Sequence, residues 1–248
     1  MIRKRENRDG VISLREPVFH RPIPSSCIFG PMDVSLIIAL SFSIFIPVAI
    51  GMIRFKKINP IYYPFLVLLC LGAINEVISY FLIKAHHSNA VNNNLFLLAE
   101  SLLILYQFKQ WRLFTGSLRV YYVFSGLVAA FWLTESFIIG SIHIFNSYFI
   151  IANSLLVVLL SITMISRLMA KRRKILWRDP VFILCAGFIF FFTYAIIVEA
   201  FYIYGLAASN LFQRYVFRIL AFVNLFTNLL YALAVLWMPR RQEYIHSF

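Results

Sequence analysis

Long apolar runs alternate with short polar segments along most of the chain. A helix of about 20 mostly apolar residues crosses the roughly 30 Å hydrocarbon layer of a membrane. Seven segments are predicted as such helices: 34–53, 61–83, 95–114, 120–140, 148–168, 181–204 and 215–238. The third is the weakest, because its apolar stretch is short and Lys109 and Arg112 must snorkel to the membrane surface.

The predicted fold class is therefore all-α, a polytopic membrane bundle of seven transmembrane helices. The bundle is expected over residues 33–240, followed by a short cytoplasmic tail at 241–248. Residues 1–32 are basic, contain four prolines and show no apolar period, so a disordered tail is expected there. Met32 directly precedes the first apolar run, and an alternative expectation is that translation starts at Met32.

Composition supports the membrane interpretation. Hydrophobic residues make up 61% of the chain, charged residues 13%, and the mean hydropathy is +0.81. Soluble domains carry about 25% charged residues. These values exclude a soluble globular protein, a disordered chain and a nucleic-acid-binding domain, even though the formal net charge is +13. The expected partner is the lipid bilayer.

The basic residues lie between the apolar runs and predict the topology, because lysine and arginine favour the cytoplasmic loops of membrane proteins. One side of the predicted bundle carries Arg54, Lys56, Lys57, Lys109, Arg112, Arg119, Arg167, Lys171, Arg172, Arg173, Lys174, Arg178, Arg240 and Arg241. The other side carries Lys84, Arg214 and Arg218. This asymmetry predicts an N-out/C-in orientation, and the expected location is the bacterial inner membrane.

Sequence motifs for cofactor or metal chemistry are absent. The chain has three cysteines without a CxxC pair, and it contains neither a phosphate-binding loop nor a dinucleotide fingerprint. His86, His87 and His143 fall in predicted loops rather than inside the membrane. No cofactor, metal site or catalytic residue is therefore predicted.

Glutamates inside four predicted helices are the features that require explanation. A carboxylate in the middle of a bilayer costs about 2.5–3.5 kcal/mol on insertion scales, so such groups face the interior of a bundle. Counted along their helices, all four fall in the outer half of the membrane, with Asn153 and Arg218 at the same depth. The candidate ligand-binding residues are Glu76, Glu100, Glu135, Asn153, Glu199 and Arg218.

Two interpretations of this polar set remain open. In the first, it forms a pocket for a cation, a proton or a small polar ligand, and at least one of the carboxyl groups holds a proton because few positive charges are near. In the second, the same residues only form hydrogen bonds that hold the helices together. Helical spacing favours a shared inward face in either case, since Asn93, Glu100 and Gln107 repeat every seven residues.

An internal repeat is suggested by two similar helices. The third reads FLLAESLL at 96–103 and the fifth reads FIIANSLL at 149–156, and each follows a helix that ends near a glutamate. A helix-hairpin unit repeated after one leading helix would produce this pattern. Such repeats surround central sites in some transporters.

The segments NNNLFLLAESLLILYQF, FNSYFIIANSLLVVLLSI and RDPVFILCAGFIFFFTYAI resemble an uncharacterised family of small bacterial seven-helix integral membrane proteins. In that family an asparagine opens the third helix and a glutamate follows, at positions that match Asn94 and Glu100. A second acid is usual in the fifth helix, where this chain has Asn153. The family resembles the membrane portions of bacterial sensor proteins, and the resemblance implies no catalytic residues.

The expected function is that of a sensor or receptor-like module with a polar pocket in the outer membrane half and a cytoplasmic signalling partner. The alternative is a secondary transporter or channel for a proton, cation or small solute. A third possibility is a lipid-modifying membrane enzyme that combines Glu100 with His86, His87 or His143. The sequence favours a protein that is not an enzyme, because inward-facing histidines are missing.

Overall fold

The computed structural model describes residues 39–86, 89–114, 118–171, 176–203 and 210–239, with the side chains of 86, 171, 176, 210–214 and 217 excepted. The predictions of a disordered tail over 1–32, of a start at Met32 and of a tail at 241–248 lie outside the described residues. Within the described ranges the chain is helical and contains no strand. The predicted all-α class is confirmed.

Seven main helices follow one another in the part of the chain that the structure describes. They are α1 (Phe45–Arg54), α2 (Tyr63–His86), α3 (Ala90–Gln110), α4 (Leu118–Thr134), α5 (Ser147–Lys171), α6 (Pro180–Ile203) and α7 (Asn210–Trp237). Short 3-10 turns flank α1, and a π-helical turn, Glu135–Ile139, continues α4. Each predicted segment corresponds to one helix, and the ends of the last six segments differ from the helix ends by about six residues at most. The predicted start of the first segment, residue 34, lies outside the described residues, and α1 itself begins only at Phe45.

Six of the described helical segments are long and apolar enough to cross a membrane, which is typical of a multi-pass membrane protein. They are Ala39–Lys57, Pro60–Ala85, Leu118–Ile139, Ser147–Ala170, Pro180–Ile203 and Arg218–Trp237. Helix α3 is not among them, because it carries three consecutive asparagines, Glu100 and Gln107. It also begins at Ala90, five residues before the predicted start, so those asparagines lie inside the helix.

Among the described helices, six form a closed ring. Contacts join α1 to α2, α2 to α3, α3 to α5, α5 to α6, α6 to α7, and α7 back to α1. Helix α4 lies outside this ring and packs against α3 and α5. The side chains that face into the ring therefore come from every main helix except α4.

The two ends of the bundle differ in chemistry. We call the end where α2, α4 and α6 finish the glutamate end, because Glu76, Glu135 and Glu199 lie towards it. The opposite end, where α3 and α7 finish, is the basic end and includes Arg54, Lys56 and Lys57. At the basic end the Arg54 guanidinium donates to the Val235 carbonyl at 2.7 Å and to that of Leu236, and so caps α7.

The exterior of the bundle is apolar, unlike that of a soluble protein, and several polar side chains are buried in its core. Asn94, Ser101 and Ser161 are fully buried, whereas Ile53 and Ile138 are 82% and 78% exposed. An apolar exterior, with the polar side chains kept inside a largely apolar core, is the arrangement that lipid requires, because hydrocarbon offers no hydrogen-bond partners.

Helix α3 also buries its polar side chains and exposes apolar ones, despite its low hydropathy. Its side chains Asn94, Ser101 and Gln107 are buried, and Leu95 on its outer face is half exposed. The Gln107 amide joins α3 to the start of α2, accepting from the Phe65 backbone N–H at 2.9 Å and donating to the Ile61 carbonyl at 2.8 Å. The polar residues that lower the hydropathy of α3 thus make contacts inside the ring.

Candidate functional site

A cavity of about 340 Å³ lies inside the ring towards the glutamate end. Cavities of roughly 300–1,000 Å³ are typical of small-molecule sites. Its walls come from α2, α3, α5, α6 and α7, together with Ser41 just before α1. The described lining residues are Ser41, Asn75, Glu76, Asn93, Phe96, Leu97, Glu100, Ile150, Asn153, Ser154, Phe191, Phe192, Ala195, Val198, Glu199, Leu220, Ala221 and Asn224.

Three of the predicted carboxylates meet at this cavity. Glu76 comes from α2, Glu100 from α3 and Glu199 from α6, and all three side chains are half-buried. Only two other acidic residues, Glu135 and Asp179, occur in the described part of the chain. None of the described lining residues is basic. The cavity wall therefore holds an excess of negative charge whenever these groups ionise.

Asn153, the fourth predicted residue at the cavity, extends from α5. It is 5% exposed, and its Oδ1 atom is buried without a hydrogen-bond partner within the described structure. A buried acceptor without a partner costs about 1–3 kcal/mol. The carbonyl of Asn153 is thus ready to accept a hydrogen bond from a group inside the cavity.

The neighbouring polar side chains are already engaged with one another. On α3, Asn92 donates to Asn75 Oδ1 at 2.7 Å and to the Ser79 hydroxyl at 3.2 Å, which joins α2 to α3. On α7, Asn228 donates to the Ser43 hydroxyl at 2.8 Å. The Asn92 bonds fix the two helices that carry Glu76 and Glu100 relative to each other, and the Asn228 bond joins α7 to the turn before α1.

Glu135 does not line the cavity. It belongs to the π-helical turn that continues α4, and α4 lies outside the ring. Its carboxylate accepts hydrogen bonds from the backbone N–H groups of Tyr148 at 3.0 Å and Phe149 at 2.5 Å. The first N–H groups of a helix lack partners within the helix. Glu135 therefore caps α5, a structural role.

Arg218 is not among the described lining residues, although Leu220 and Ala221, shortly after it on α7, are. Its guanidinium carbon is 5.9 Å from the centroid of the Tyr215 ring, one turn earlier on α7. The side chain of Arg214 lies outside the described residues. The expected cluster of glutamates and arginine is thus reduced to Glu76, Glu100 and Glu199 with Asn153.

A second polar cluster supports the glutamate end. Asn94 is fully buried and donates to the carbonyls of Ile142 at 3.0 Å and Ile144 at 2.7 Å. Its Oδ1 accepts from the Asn146 backbone at 3.2 Å, and its own carbonyl accepts from the Trp132 indole at 2.8 Å. Asn94 thereby holds the connection from α4 to α5, up to the residue that precedes α5, against α3.

An aromatic layer separates the cavity from the basic end. The centroid of the Phe65 ring lies 6.2 Å from that of Phe188 and 5.2 Å from that of Tyr231. The rings of Phe188 and Phe108 are likewise 6.2 Å apart between centroids. Phe192 belongs both to this packed core and to the cavity wall. Among the described residues, these rings belong to a packed core that extends to Trp111 and Met238 near the basic end.

The described residues include no group of three or more histidine, cysteine or acidic side chains that could hold a metal ion. His143 is exposed in the connection between α4 and α5 and does not line the cavity. His87 and the side chain of His86 lie outside the described residues.

Several lining residues were not predicted. Phe96, Phe191 and Phe192 have no distinguishing signal among 26 phenylalanines, and Ser41 and Ser154 have none among the serines. Asn93 belongs to the predicted polar face of the third helix, but neither Asn93 nor Asn224 was among the candidate ligand-binding residues.

No family model, curated protein or solved structure matches this chain. The resemblance to seven-helix bacterial membrane proteins stays a prediction. The class that the fold itself defines is a helical protein with the features of a multi-pass membrane protein, built around a ring of six helices.

Proposed function

We propose that the chain is a seven-span protein of the bacterial cytoplasmic membrane, N-out/C-in, that senses a positively charged ligand in its outer half. The observation that carries the proposal is the convergence of Glu76, Glu100 and Glu199 on one cavity beside the unpartnered Asn153. Carboxylates within a membrane bundle are costly and usually mark binding or relay sites.

A crossing by α3 is part of this proposal. The helix has 21 residues and is about 31 Å long at 1.5 Å per residue, which matches the hydrocarbon thickness. Its polar side chains lie inside the ring, and its exposed face includes Leu95 and Val91. The predicted orientation is supported by the excess of lysine and arginine at the basic end.

Sensing is favoured over transport by the aromatic layer of Phe65, Phe108, Phe188 and Tyr231. A transporter or channel for protons, cations or small solutes needs access from both faces, and these packed rings oppose it in this conformation. Binding at the cavity could shift α3 and α6, which carry Glu100 and Glu199 and also extend to the basic end. A cytoplasmic signalling partner would respond to that shift.

The test is a paired measurement in proteoliposomes. An environment-sensitive fluorophore is attached at Trp177→Cys, a position near the basic end that is 74% exposed, in a variant without the native cysteines. Sodium, potassium, protons and phenethylammonium are the probe cations, and their flux is followed in parallel. A sensor gives a saturable fluorescence change without flux, lost in Glu100→Gln and retained in the charge-preserving Glu100→Asp.

Flux of a probe cation that is lost in Glu100→Gln would favour the transporter alternative over the sensor. A fluorescence response unaffected by Glu100→Gln would remove the cavity from the mechanism.

A further inference from the structure

We propose that the cavity binds a small organic ammonium ion: a primary or secondary amine, protonated, on an apolar and preferably aromatic body. This inference rests on the proposed function and names the chemical class of its ligand. Three independent features of the cavity wall lead to it: the sign of its charge, its aromatic surface and its unpartnered acceptor.

The charge of the wall selects a cation. Glu76, Glu100 and Glu199 are distributed over three helices, and the described lining residues include no lysine, arginine or histidine. An anion would be repelled, and a neutral ligand would bring no counter-charge to the carboxylates. A cation held between them would gain electrostatic stabilisation that is stronger than in water, because the surroundings are apolar.

The aromatic and aliphatic surface selects an organic cation over an inorganic one. Phe96, Phe191 and Phe192 line the cavity together with aliphatic residues such as Leu97, Ile150 and Val198. Ring faces attract ammonium groups by about 0.5–2 kcal/mol, and apolar walls bind hydrocarbon.

The spacing of the acidic groups agrees with this choice. The described residues offer no set of three acidic, histidine or cysteine side chains that could hold a metal ion. A volume of about 340 Å³ also exceeds what a bare ion needs and falls within the range of small-molecule sites.

The unpartnered carbonyl of Asn153 selects an N–H donor. The residue is 5% exposed, and Oδ1 has no hydrogen-bond partner within the described structure. A primary or secondary ammonium can donate to this oxygen and to a carboxylate at once. A quaternary ammonium has no N–H group and would leave Asn153 unsatisfied.

The probe is 2-phenylethylammonium, tested on the purified full-length protein in detergent by thermal shift and calorimetry. Two matched controls are 2-phenylethanol, which has the same body without the charge, and sodium chloride. We expect saturable binding and an increased melting temperature with the amine, and much weaker effects with equal concentrations of either control.

Variants separate binding from folding. Glu100→Gln should weaken amine binding about thirtyfold or more, because one partner of a buried charge pair is lost. Phe191→Ala should weaken it about three- to tenfold, while Phe190→Ala, next to it but outside the lining residues, should not. Asn153→Ala removes the unpartnered acceptor, so the empty protein should melt no lower while amine affinity decreases.

The outcomes distinguish the two proposals. Stabilisation by sodium or protons that depends on Glu100, without any effect of the amine, overturns the organic ligand and leaves the proposed function standing. Equal binding of amine and alcohol overturns the charge argument. Binding of no probe, with Glu100→Gln identical to the wild type, overturns both.

Discussion

The carboxylate of Glu135 accepts a 2.5 Å hydrogen bond from the backbone N–H of Phe149, fourteen residues further along the chain. With the second bond from Tyr148 it satisfies two of the N–H groups that open α5. A glutamate that looks from the sequence like part of a binding site is therefore a helix cap. This contact fixes the first turn of α5, the helix that carries Asn153.

Replacement of Glu135 by alanine is expected to lower the free energy of unfolding by about 2–3 kcal/mol, because one buried and one partly buried N–H group lose a charged acceptor. Glu135→Gln keeps an oxygen acceptor and should lose less. Thermal unfolding in detergent measures both variants. A melting temperature for Glu135→Ala equal to that of the wild type would contradict the capping role.

Adjacent asparagines on α3 are expected to differ strongly. Asn94→Ala removes the bonds to Ile142, Ile144 and Asn146 and should destabilise the protein by about 2–4 kcal/mol. Asn93→Ala, at the cavity wall, should cost less than about 1 kcal/mol. Limited proteolysis between α4 and α5 should be faster only in the Asn94 variant. Equal behaviour of the two variants would show that the connection is held in another way.

Two helical glycines provide a matched test of packing between α6 and α7. A Cβ atom at Gly187 would lie 2.8 Å from Tyr231 Cε1, whereas one at Gly126 would meet no heavy atom within 4 Å. Gly187→Ala should therefore destabilise by about 1–3 kcal/mol. Gly126→Ala should be neutral or stabilise by up to about 1 kcal/mol through helix propensity. Melting temperatures test both, and a tolerated Gly187→Ala would mean that the Tyr231 ring moves aside easily.

Single cysteines in a variant without native cysteines test the seventh span. Lys84→Cys at the end of α2 and Leu118→Cys at the start of α4 flank α3, and both positions are exposed. A membrane-impermeant thiol reagent should label Lys84→Cys from outside the cell and Leu118→Cys only after the membrane is opened. His143→Cys should behave like the first and Trp177→Cys like the second. Labelling of both flanking positions from one side would show that α3 does not cross.

The polar residues of α3 show how much of the structure sequence periodicity predicts. The seven-residue spacing of Asn93, Glu100 and Gln107 predicts one inward face, and the structure has Asn93 and Glu100 at the cavity with Gln107 buried below them. Periodicity reports which face of a helix is polar. It does not report which neighbouring residue that face meets, and the contact between Gln107 and Phe65 was therefore not predicted.

The four glutamates show what the position of a residue along its helix does not predict. Depth along the helices predicts that Glu76, Glu100, Glu135 and Glu199 lie at one level, but equal depth does not imply a shared centre. Whether a residue faces the centre depends on the order of helices around the ring. Helix α4 lies outside that ring, so Glu135 meets the start of α5 instead of the cavity.

The sequence by itself determined the helices and the membrane character of the chain, because long apolar runs and the side-chain period of a helix are local properties. It also predicted the polar faces, since hydrocarbon tolerates no unsatisfied polar group. Only the tertiary structure decided the ring of six helices, the position of α4 outside it, the aromatic layer and the unpartnered carbonyl of Asn153. These depend on contacts between residues far apart in the chain, which no local pattern encodes.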